Sequence, residues 1–123
     1  MEAFVQKYTT KLDSRCEVDA NTGCFLWKGG STGRGPKRYG VMRVRFPGSL
    51  VSRPVYVHRL RYILSTRTLR LRQSWDVSHL CHTSLCTDIG HLHLEPHHVN
   101  NARQSCRRFN RCDGHIPHPK CVL

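Results

Sequence analysis

The sequence lacks long apolar runs. Hydrophobic residues make up 38% of its 123 positions, and no stretch reaches the roughly 18 apolar residues that a spanning helix needs. A membrane helix is therefore not expected. The polar, charged opening from Met1 to Leu12 has no apolar signal core, so an intracellular, non-secreted chain is expected. Acidic residues are also scarce. Eight Asp and Glu stand against 20 Lys and Arg, for a net charge of +12. An excess of that size at this length points to a polyanion partner, nucleic acid above all. Arg outweighs Lys, which favours forked contacts to phosphate over simple solubility. Internal repeats, low-complexity tracts and CxxC pairs are all missing.

A chain this short with few apolar residues buries a thin core and needs cross-links. Seven cysteines are present. The odd number and the expected reducing compartment argue for thiolate–metal bonds over disulfides.

Five of the seven cysteines and eight of the nine histidines fall between Asp76 and Cys121. Zinc takes four ligands in a tetrahedron, with thiolate and imidazole preferred. Cys81, Cys86 and His91 follow one another with four residues between neighbours, so one loop can converge on one ion. The fourth ligand must come from elsewhere; Cys24 is the choice and Cys16 its competitor. A second set, Cys106, Cys112, His115 and Cys121, spans 16 residues with almost no apolar content; His118 could replace His115. Surface positions are expected for His82, His93, His97 and His98. His79 lies two residues before a ligand, at a strand end.

Ahead of the cluster, Met1 to Arg15 has the partial helical spacing of a short helix or arm. Cys24 to Trp27 reads as a strand and Lys28 to Lys37 as a flexible basic loop. Tyr39 to Phe46 alternates, with Met42, Val44 and Phe46 on one face and Val41, Arg43 and Arg45 on the other. Val51 to Val57 would return beside it as an edge or with a bend, because Pro54 cannot donate to a ladder. Such a ribbon fits the major groove of DNA, and Arg38, Arg43, Arg45 and Arg53 are its candidate contacts. His58 to Leu64 reads as a helix with Leu60, Ile63 and Leu64 inward and Arg59 and Arg61 pointing elsewhere. Then come a strand at Asp76 to Leu80, a loop through Cys86, a strand at His91 to Glu95, and a helix opened by Pro96.

The segments SHLCHTSLC, GHLHLEP and HHVNNARQSC resemble the His-Cys box homing endonucleases, members of the ββα-metal (His-Me finger) nucleases. The resemblance is close from Ser78 to Cys106 and weaker from Cys24 to Tyr56. It implies an α+β fold, a small zinc-stabilised ββα-metal nuclease with an antiparallel DNA-binding ribbon. A single domain over 1–123 would then comprise an N-terminal arm (1–23), a ribbon and helix contacting DNA (24–75) and a zinc-bound core (76–121). The resemblance makes His79 the general base and Asn100, with Asn101 as its neighbour, the ligand of one catalytic magnesium or other divalent ion. It makes Arg53 the phosphate contact. It assigns two structural zincs, one to Cys24, Cys81, Cys86 and His91, the other to Cys106, Cys112, His115 and Cys121. The implied partner is double-stranded DNA, with a second copy of the chain as a further candidate. The family's C-terminal dimerisation extension has no counterpart after Cys121, where only Val122 and Leu123 follow. Nuclear residence would follow for a eukaryotic source. The alternative is a zinc-stabilised DNA-binding module without catalysis.

Overall fold

The computed structural model describes residues 1–123, the side chain of Pro36 excepted. Its first helix, α1 (Glu2–Asp13), buries Val5, Tyr8 and Leu12, a spacing that keeps one stripe facing inward. Two short strands follow, β1 (Cys16–Val18) and β2 (Phe25–Trp27), paired antiparallel. Strand β3 (Ser31–Thr32) and a single 3-10 turn at Gly35–Lys37 occupy the stretch that composition reads as a flexible loop. Glycine and serine there leave little to signal a strand; β3 is held by pairing with its neighbour, a tertiary cause. β4 (Tyr39–Val44) and β5 (Arg53–Tyr56) complete a three-stranded antiparallel sheet ordered β3–β4–β5. Pro54 therefore sits on an edge strand.

Helix α2 (Val57–Thr66) follows directly. Its Val57, Leu60 and Leu64 join the α1 stripe, Trp27, Met42 and Val44 in one apolar cluster. Gly40 lets β4 lie against Trp27; a Cβ there would meet the indole at 2.4 Å and Val57 at 2.6 Å. Arg61 departs from the sequence reading. It is buried, bonding Asp13 at 2.7 Å and donating from Nε to the Thr87 carbonyl at 3.0 Å. A helical wheel marks arginine as solvent-facing, but here a carboxylate and a carbonyl from distant segments draw it inward.

The second half is a hairpin of β6 (Trp75–His79) and β7 (Leu92–Pro96), then α3 (His97–Phe109). Pro96 is the N-cap of α3, one residue before its first helical position. The apolar cluster lies entirely in the first half and a flanking Leu85. The tail after Phe109 has no regular element beyond an isolated His115–His118 bridge. Among the described residues, no helix is long and apolar enough to cross a membrane.

Candidate metal centres and catalytic cleft

Strand β2 carries Cys24 to the loop between β6 and β7. Phe25 O accepts from Thr87 N, Trp27 N donates to Leu85 O, and Leu26 bridges Cys86. That pairing places Cys24 Sγ 3.7 Å from Cys81 Sγ and 3.7 Å from His91 Nδ1, with Cys86 Sγ 3.5 Å from the same nitrogen. A tetrahedral zinc with bonds of about 2.3 Å to sulfur and about 2.0 Å to nitrogen demands ligand separations of about 3.5–3.8 Å. The four atoms already stand at the corners such an ion needs. Cys16 lies outside the group, its Sγ 3.4 Å from Thr87 Oγ1.

The second group gathers the end of α3 and the tail. His115 Nε2 is 3.4 Å from Cys106 Sγ and 3.7 Å from Cys121 Sγ, and Cys112 completes the set within 4.8 Å. His118 points instead to His93, Nδ1 to Nε2 at 3.1 Å. The half-buried His82 and His93 thus differ from the solvated positions expected of them. Neighbouring thiols and burial push the Cys86 thiol up, and burial and its neighbours push Cys106 up to about 12. Thiols this close cannot all ionise unless a cation neutralises them. Both clusters fit zinc.

Between the sheet and α3 lies a cleft of about 670 Å³. His79 at the end of β6 and Asn100 on α3 both line it, as do Tyr39, Tyr56, His58, Asp76 and Asn101. Arginine and lysine reach it from three elements: Lys37, Arg59, Arg103, Arg107 and Arg108. Arg53 does not line it. Paired with Val44 across the ladder, Arg53 falls on the core side of the sheet and lies over the Phe46 ring at 4.9 Å. Arg43 and Arg45 are exposed and brace the turn, on Ser52 and Ser49 respectively; Arg38 bonds Ser31.

His79 lies tilted against His58, ring centres 4.5 Å apart, with Tyr39 and Tyr56 extending the wall. Its Nε2 is buried without a partner. Burial lowers its pKa to about 4, against the opposing pull of a backbone hydrogen bond at Cys86. Beneath the cleft, Arg103 makes a forked bond to Glu95, Nε to Oε2 at 2.6 Å and Nη2 to Oε1 at 2.7 Å, both residues fully buried. The same guanidinium donates to Pro119 O at 2.8 Å and to Cys121 Sγ at 3.3 Å, tying the hairpin to the second metal cluster. Ser78 Oγ joins Glu95 Oε2 at 2.5 Å to Asn100 Oδ1 at 2.8 Å.

Sequence reasoning missed His58, Arg59 and Asp76. Each carries an ordinary signal in sequence, and only the packing of α2 and α3 across β6 brings them together.

A family model described as the zinc-binding loop region of homing endonuclease matches residues 23–122. No curated protein and no solved structure matches the chain at a significant level.

Proposed function

The chain belongs to the His-Cys box homing endonucleases, and from that premise we propose that it hydrolyses phosphodiester bonds of double-stranded DNA with a divalent cation. One observation carries this reading: His79 and Asn100, from different elements, line the same cationic cleft. His79 is the general base. Its lowered pKa keeps the imidazole neutral at pH 7, and the ring nitrogen turned to the cleft is free to accept a proton. A water giving its proton to that nitrogen attacks phosphorus in line, and the 3′ oxygen leaves. Magnesium, when bound, supplies the positive charge that stabilises that oxygen.

Asn100 holds the ion through its amide oxygen. Its backbone on α3 and its bond to Ser78 fix the amide before substrate arrives. Arg59 and Lys37 hold the phosphate from the sheet side, and Arg107 and Arg108 from the helix side. Arg38, Arg43 and Arg45, exposed on the sheet, contact the DNA backbone. The two clusters, Cys24, Cys81, Cys86, His91 and Cys106, Cys112, His115, Cys121, hold structural zinc; four protein ligands leave no open position.

Nicking of supercoiled plasmid carrying a randomised insert library tests the reading. The wild type should cut with magnesium, not with magnesium left out of the zinc-loaded protein, and His79→Ala should not cut. Equal cutting by His79→Ala would remove the base. Binding without cutting by the wild type would make the chain a zinc-stabilised DNA-binding module.

A further inference from the structure

The hydrogen bonds around Asn100 do not balance. Ser78 has one hydroxyl hydrogen, yet its Oγ lies against two acceptors, Glu95 Oε2 at 2.5 Å and Asn100 Oδ1 at 2.8 Å. A carboxylate and an amide carbonyl can only accept. Turning the Asn100 amide about its axis cures this, since the two ends have the same shape. The amino group then donates to Ser78, and Ser78 donates to Glu95. The turn creates a second conflict, however. Asn100 Oδ1 now takes the place of Nδ2, 3.0 Å from Asp76 Oδ2, and two acceptor oxygens face each other with no hydrogen between them. Neither amide orientation satisfies every group. A cation between Asp76 and Asn100 does.

The dimensions suit one class of cation. Magnesium holds oxygens at about 2.1 Å in an octahedron, so adjacent ligands stand about 3.0 Å apart. Charge argues the same way. Asp76 is the one carboxylate among the described residues lining a cleft that holds Lys37, Arg59, Arg107 and Arg108. A dication would enter that field poorly on a neutral amide alone. Asp76 and Ser78 alternate onto the same side of β6, so both meet α3. His97 Nδ1 also lies 2.5 Å from Asp76 Oδ2. It can donate to one lone pair and leave the other for the ion, as partners of metal-bound carboxylates do.

We propose that Asp76 is a second protein ligand of the divalent cation, paired with Asn100 across β6 and α3. The inference rests on the nuclease reading and deepens its metal site. Manganese titrated into zinc-loaded protein and followed by electron paramagnetic resonance reads the site without turnover. The wild type should bind manganese that magnesium displaces. Asp76→Asn should weaken binding by at least about tenfold, the lower bound even for outer-sphere partners, with zinc content unchanged. Exchanging the two side chains, Asp76→Asn with Asn100→Asp, restores the ligand set and should recover binding. His97→Ala should weaken manganese binding less than Asp76→Asn does.

Wild-type affinity in Asp76→Asn, with magnesium-dependent cutting by the wild type intact, overturns this inference alone. So does loss of manganese from His97→Ala as complete as from Asp76→Asn, or failure of the exchanged pair to bind. A wild type that neither binds manganese nor cuts overturns the nuclease reading as well.

Discussion

Replacing Arg103 with Met leaves the Glu95 carboxylate at 0% exposure with only the Ser78 hydroxyl as donor. Breaking a buried pair by removing one partner costs about 3–5 kcal/mol. Two further acceptors, Pro119 O and Cys121 Sγ, lose their donor as well, at about 1 kcal/mol each for ordinary hydrogen bonds. The expected loss is therefore about 5–7 kcal/mol, a large share of a typical domain's stability. Urea unfolding of zinc-loaded protein at pH 7 measures it. Arg103→Met with Glu95→Gln removes the stranded charge and should recover about half.

The pH dependence supplies a second readout. Burial pushes the Glu95 carboxyl up, but Arg103 and Ser78 outweigh it and hold it below its ordinary 4.5. Its stabilising contribution is complete above about pH 4.5 and is lost as pH falls through the folded value. In Arg103→Met burial prevails and the folded value rises. The difference between the two proteins should therefore narrow on acidification. A loss under about 1 kcal/mol at pH 7, the size of one ordinary hydrogen bond, would refute the reasoning.

Cys112→Ser should lower bound zinc from two per chain to one and leave the Cys24 cluster loaded; atomic absorption decides, and two retained zincs would exclude Cys112 as a ligand. Full zinc removal should cost on the order of 10 kcal/mol per site and erase the circular-dichroism signal of α3. Gly40→Ala should destabilise by about 1–3 kcal/mol through overpacking against Trp27; an unchanged melting temperature would show that the sheet yields. Arg43→Ala and Arg107→Ala should each reduce the slope of log affinity against log salt by about 1, read by fluorescence anisotropy on duplex DNA.

The parts legible in sequence are those in which neighbours along the chain are neighbours in space. Cys81, Cys86 and His91 sit on one loop, so their even spacing already implies convergence. The alternation of β4 and the stripe of Leu60, Ile63 and Leu64 likewise expose the inner faces of their elements. The cleft is different. Its walls come from β4, β5, α2, β6 and α3, and nothing local marks His58, Arg59 or Asp76. Arg61 misleads for the same reason: its acceptors, Asp13 and the Thr87 carbonyl, lie far off in sequence. Arg53 has the right residue type on the right ribbon, but ladder parity turns it to the opposite face from Tyr56.

With zinc in the first cluster, the reach to Cys24 predicts an order of events. Cys81, Cys86 and His91 are local, and a short loop can capture an ion on three ligands at little entropic cost. Cys24 stands 57 residues before Cys81, and closing a loop of that length costs about 4 kcal/mol of chain entropy. The fourth ligand would arrive only once β2 has paired with residues 85–87. Until then the ion would keep an open position; afterwards it would be sealed. The coordination number at this zinc is thus a record of whether the two halves of the chain have met, and cobalt in its place would make the moment of docking visible as a colour change.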